Sequence, residues 1–95
     1  MPRMVQVLAK RTAEVFGLAH RKGDIRVGAD ADFVIWNPNE ETAIAAENLH
    51  GHADWSPYEG MRIAGRVEYT ILRGQVLVEN GEFVGECGRG ELLRR

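Results

Sequence analysis

Cysteine is nearly absent. Cys87 is the single one in 95 residues, so no internal disulfide framework staples this chain. A lone thiol fits a reducing compartment, and a cytoplasmic location is expected. No apolar run approaches the roughly 20 residues needed to span a bilayer, and the N-terminus lacks the apolar core of a secretory signal. Neither sign of charge dominates: 12 Lys and Arg stand against 14 Asp and Glu, a formal net charge of -2. The basic residues are scattered, with Arg21-Lys22 and Arg94-Arg95 reading as solvated ends. This balance gives no reason to expect nucleic acid or an anionic membrane as a partner. Length excludes as much as composition does, because a (β/α)8 catalytic barrel needs about 250 residues. A chain of this size holds one small domain with a modest core.

What is present begins with a helical pattern. Met4, Val5, Leu8, Thr12, Val15 and Phe16 recur at three- and four-residue steps along one face. Pro2 suits a helix start, Gly17 a left-handed stop, and Leu18 a return onto the last turn. Lys10-Arg11-Thr12 leaves open a break into two short helices, with Thr12 as the second cap.

After Gly23 the period becomes strand-like. Ile25 and Val27 alternate with Asp24 and Arg26, which predicts a short half-buried strand. Gly28-Ala29-Asp30 is turn chemistry. Phe33-Val34-Ile35-Trp36 predicts a strand covered on both faces, ended by Asn37-Pro38-Asn39. Thr42-Ala43-Ile44-Ala45 allows another short strand, and Leu49 to Glu59 reads as a surface loop. Three antiparallel strands then fill residues 66–84, turning at Arg73-Gly74 and at Asn80-Gly81, a pair that accepts the positive φ of a tight hairpin. The expected fold is mainly β with an N-terminal helix (α+β): one helix, then five or six short strands. The chain divides into a helix and turn over 1–22, a β segment over 23–84 and a glycine-rich charged tail over 85–95. So small a set leaves a sheet edge and an apolar face without a partner inside the chain.

The residues that invite chemistry are few. His50-Gly51-His52 suggests a metal grip, but a divalent site needs three or four converging ligands, and His20 lies thirty positions upstream. Asp30-Ala31-Asp32 resembles a carboxylate pair for acid–base work. At a turn leading into a strand, aspartates more commonly hydrogen-bond backbone. Cys87 adjoins Glu86, which discourages the thiolate, and no histidine follows to activate it. Arg89, Arg94 and Arg95 read as solvated tail charges. Gly85, Gly88 and Gly90 lack the lysine and the strand-to-helix context of a phosphate loop. Trp36 and Trp55 read as packing residues, Trp55 over the core or at an interface.

Several strings in order carry a resemblance. Ala13-Glu14-Val15-Phe16-Gly17-Leu18 with Lys22-Gly23-Asp24-Ile25, then Val27 through Ile35, then Ser56-Pro57-Tyr58-Glu59-Gly60, then Thr70 through Val76 with Gly81-Glu82-Phe83-Val84-Gly85 together resemble the C-terminal segment of the cyclic amidohydrolases, the allantoinase, dihydropyrimidinase and hydantoinase family. The resemblance implies the last barrel helix and part of the β-sandwich of that family's composite domain, without the TIM-barrel catalytic core. It also implies a parent activity, hydrolysis of a cyclic amide ring such as allantoin, dihydropyrimidine or hydantoin. There, two divalent metal ions, usually zinc, activate a bridging hydroxide. The Ser56–Gly60 string favours an allantoinase-like parent. The family's metal-ligand motifs have no counterpart here. The expectation is therefore no catalytic, cofactor-binding or metal residue in this chain, with a structural role that completes the sandwich and adds subunit contacts. The partners expected are a second copy or the missing barrel and N-terminal strands. The alternative is a stand-alone interaction or oligomerisation module that has lost the barrel.

Overall fold

The computed structural model describes residues 1–94. The N-terminal helix, α1, runs from Pro2–Val5 through a wide π-type turn at Gln6–Lys10 into Arg11–Val15. It is one helix rather than two. Thr12 caps nothing; its hydroxyl donates to the Val7 carbonyl five residues back at 2.9 Å, and the Arg11 N–H reaches the Gln6 carbonyl at the same five-residue step. That spacing is what widens the turn. Gly17, at φ 70, ends the helix as expected. Its N–H donates to the Glu14 carbonyl and that of Leu18 to the Ala13 carbonyl, the paired bonds of a Schellman stop.

The predicted strand at Ile25 and Val27 does not form. The Asp24 carboxylate takes the Ile25 N–H, and the Arg26 guanidinium donates to the carbonyls of Ala19 and His20. These local bonds curl the segment into turns and leave Val27 fully exposed. Alternation alone cannot make a strand that has no neighbour to pair with.

The sheet has four antiparallel strands in the order β1-β2-β3-β4. These are β1 (Phe33–Ala43), β2 (Arg62–Leu72), β3 (Gln75–Glu79) and β4 (Glu82–Phe83). Strand β1 does not stop at Asn37-Pro38-Asn39. It lies at the sheet edge, where a missing proline N–H breaks no ladder bond, and the register slips between Asn37 and Glu41 to absorb the irregularity. Thr42 and Ala43 thus belong to β1, paired with Ile63 and Arg62, which brings the strand number down to four. Strand β2 also starts earlier than the pattern from Arg66 suggests. Both tight turns have the expected chemistry: Arg73 and Gly74 at φ 46 and 80, Asn80 and Gly81 at φ 51 and 88. Their twist matches that of the flanking strands.

Little of this surface is buried. Ala13 is the buried apolar side chain, while Val34, Ile35, Trp36, Leu8, Phe16 and Trp55 are all exposed by more than a third. The run Phe33–Trp36 is therefore not covered on both faces, and Trp55 lies over no core. The free ladder edge on β1 and the apolar faces of helix and sheet are the unpaired surfaces expected from the element count. No helix among the described residues is long and apolar enough to cross a membrane.

Candidate functional site

The densest cluster of chemistry-bearing side chains sits where the helix segment meets the sheet. Arg21 and Lys22 come from the turn after α1, Asp30 and Asp32 from the lead into β1, Arg73 from the β2–β3 turn and Glu91 from the tail. Lys22 Nζ lies 2.8 Å from Asp30 Oδ2 and also bonds Asp32 Oδ2. Arg21 Nη2 is 3.0 Å from Asp30 Oδ2 and 3.8 Å from Glu91. Asp30 Oδ2 is sealed from solvent, with these two cations against it. Asp32 Oδ1 accepts the Arg73 N–H at 2.8 Å. The Arg73 guanidinium donates to the Arg89 carbonyl and lies 3.9 Å from Glu91.

These contacts set the charge states. Partial burial favours the neutral amine of Lys22, but the bonds and charges of Asp30 and Asp32 outweigh it and raise the pKa above the ordinary 10.5. The Lys22 ammonium, and after it Arg21, hold Asp30 below the ordinary 3.8 against the effect of burial. At Asp32 burial pushes upward, and Lys22 together with the Arg73 N–H prevails, lowering the pKa. All three groups stay charged at neutral pH, so none is poised as a general acid or base there. The cluster is a structural clasp.

A pH profile follows from these directions. The two aspartates have folded pKa values below 3.8, so their stabilisation is complete above the unfolded value and is lost as pH falls through the lower folded one. Lys22, with its raised value, contributes below 10.5 and loses that contribution at higher pH still. Thermal melts should stay level between about pH 5 and about pH 9 and drop below about pH 4. In an Asp30→Asn/Asp32→Asn chain the melt starts lower and that part of the acid drop disappears. An identical acid limb in both chains would contradict the assignment.

The remaining candidates do not gather. His50 and His52 are exposed in the loop between β1 and β2, and His20 is exposed in the turn after α1. Cys87 is exposed as a free thiol. Among the described residues no group of three or more His, Cys, Asp or Glu side chains is placed to hold a metal ion. The donor set therefore does not fit the two-metal centre that the resemblance implies for the family, and no step here runs through one. Arg89 is half-buried and Arg94 exposed, while Arg95 lies outside the described residues. Arg21-Lys22 is not a solvated end: Lys22 is the centre of the clasp, with 17% of its side chain exposed. Its partners stand eight and ten positions on, beyond any helical or strand spacing. The hint available in the sequence was two aspartates and two cations flanking one turn.

Beside the clasp, Leu8, Phe16 and Leu18 of the helix segment face Phe33, Val34 and Ile71 of the sheet across an open apolar groove of about 840 Å³. Among the described residues the class is thus a helix followed by an antiparallel meander, with an open apolar groove between them. The description of the amidohydrolase family matches residues 1–78, and the chain belongs to that family. Within it the similarity is to hydantoinases. The chain is 41% identical to the D-hydantoinase of Ralstonia pickettii over 95 residues, all of this chain and 21% of that protein. It is 43% identical to the D-hydantoinase of Streptomyces coelicolor over 93 residues, 98% of this chain and 20% of that one. The solved D-hydantoinase (dihydropyrimidinase) from Thermus sp. superposes with a TM-score of 0.91 at 43% identity, covering 98% of this chain and 20% of that structure. The chain thus spans about a fifth of the length of these relatives.

Proposed function

We propose that this chain is a structural, non-catalytic part of a cyclic amidohydrolase that opens a hydantoin or dihydropyrimidine ring. The observation that carries the reading is similarity of 41% over all 95 residues to one fifth of a D-hydantoinase; among the described residues no group of three or more His, Cys, Asp or Glu side chains is placed to hold a metal ion. The hydantoinase names of the relatives move a hydantoin or dihydropyrimidine ring ahead of allantoin, the ring that Ser56–Gly60 alone favoured.

The role that fits is completion of a fold. The free edge of β1 supplies unpaired backbone donors and acceptors, a template for further strands. The groove beside α1 offers an apolar seat for the catalytic portion of such an enzyme. Exposed apolar area of this extent marks contact surface rather than ordinary protein exterior, so subunit contacts, with a second copy or with the rest of such an enzyme, belong to the same proposal. Metal chemistry is assigned to residues outside this chain.

Metal content and turnover test the non-catalytic assignment together. The purified chain is expected to carry no stoichiometric zinc by elemental analysis and to leave hydantoin and dihydrouracil unhydrolysed with zinc supplied. One zinc or more per chain, with ring opening, would overturn the proposal.

A further inference from the structure

The helix and the sheet are joined in an unusual way. Among the described residues no Cα of α1 comes within 8 Å of a Cα in any strand. Apolar packing between regular elements ordinarily fixes such an orientation; here Leu8 and Phe16 of the helix and Phe33 and Ile71 of the sheet line an open groove. Two bodies can be traced instead. On the helix side, the Gly23 backbone is pressed against Ala9 and Ala13, Lys10 lies 3.8 Å from Asp24 and Arg26 is tied to Ala19 and His20. On the sheet side, the lead into β1 is pinned to the β2–β3 turn by Asp32 to the Arg73 N–H and by the Gly74 N–H to the Ala31 carbonyl at 2.9 Å.

Across the gap run the Asp30 N–H to the Arg21 carbonyl at 2.8 Å and the charges of Arg21, Lys22, Asp30, Asp32 and Glu91. We infer that this ionic cluster is a latch: it sets the angle of α1 to the sheet, and α1 is an arm that swings when the latch is screened or neutralised. The segment between the two bodies, after Arg26 and with Val27 fully exposed, is the hinge. The arm carries Leu8 and Phe16, and the sheet carries Phe33 and Ile71, so the angle sets the width of the groove between them. Glu91 lies within 4 Å of both Arg21 and Arg73, which makes the tail a strap over the latch. The latch is partly sealed, with Lys22 at 17% exposure, whereas the Arg62–Glu41 pair on the sheet is exposed by 77% and 68%. That remote pair is the natural control.

Spin labels at Val7→Cys and Glu82→Cys, in a Cys87→Ser chain, read the angle by double electron–electron resonance. At low salt one narrow distance distribution is expected. Asp30→Asn/Asp32→Asn should broaden it about two-fold or more, since hinge freedom rises once the charges that restrain it are gone. Glu41→Gln should leave it unchanged. Salt near 1 M, where the screening length falls to about 3 Å, should broaden it in the otherwise unaltered chain, and Glu91→Gln should do so at lower salt. A double variant that keeps its sheet by circular dichroism and also keeps the narrow distribution would overturn the latch. Should that variant lose its sheet, the salt and Glu91→Gln arms decide, and an unchanged distribution in both overturns it equally.

Discussion

Replacing Gly65 with alanine is expected to cost about 3 kcal/mol or more, as backbone strain and overpacking fall on the same atom. Gly65 is the buried point of β2 and holds φ 106, a conformation that side chains resist. A Cβ there would stand 2.1 Å from Cζ2 and 2.3 Å from Nε1 of the Trp36 indole. The indole is a rigid plane on the neighbouring strand, next to the register slip between Ile35 and Trp36, so it has no flexible end to withdraw. Strain at the positive φ contributes about 1–3 kcal/mol, and forcing a methyl into the ring contact about as much again. Urea unfolding of Gly65→Ala, Trp36→Ala and the double variant measures this. The double variant should be more stable than the sum of the single losses predicts, because removing the ring relieves the clash. A single variant within about 0.5 kcal/mol of the parent, the range of an ordinary surface change, would show that ring and strand are not in contact.

That contact also marks where reading the sequence stops. Local chemistry was legible. Gly17 ends α1, Arg73-Gly74 and Asn80-Gly81 turn the meander, and β3 and the part of β2 from Arg66 onward fall where the alternation puts them. In each case the cause lies within a few residues of its effect. The errors share the opposite character. Ile25 and Val27 alternate like a strand, but a strand needs a neighbour, and the Asp24 and Arg26 side chains reach the local backbone first. Pro38 reads as a stop in sequence, and β1 passes through it because the strand lies at the sheet edge. The first residues of β2, Arg62, Ile63 and Ala64, show no alternation of their own over so short a run and are held by pairing with Ala43, Thr42 and Glu41.

The clasp was hidden for the same reason. Asp32 meets Arg73 across 41 positions, and Glu91 meets Arg21 across a longer stretch still. No periodic pattern connects residues at such separations. The three histidines of this chain are a different case: they stand apart in the sequence, and His20, His50 and His52 are each exposed in the structure. Ordered family strings carried the rest, and the hydantoinase similarity extends through every one of them.

Restoration of a damaged relative is the second large effect expected. Under the proposed role, a catalytic portion covers the surfaces left open here, the β1 edge and the groove between Leu8, Phe16, Phe33 and Ile71. A hydantoinase deprived of the matching fifth would in turn lack the sheet and helix that superpose on this chain. Buried apolar area is the main favourable contribution to reassembly, at about 25 cal/mol per Å². A two-piece enzyme also meets the cost of association, about 4–15 kcal/mol, so high concentration or co-expression favours it. The most direct measurement of the central claim is hydantoin hydrolysis by the Streptomyces coelicolor D-hydantoinase deleted for the segment that matches this chain, with this chain co-expressed in trans. Neither piece alone should turn over hydantoin, and the pair should regain activity. A pair as inactive as its parts, with the deleted enzyme folded and holding its metal, would contradict a fold-completing role, and turnover by this chain alone would contradict its non-catalytic nature.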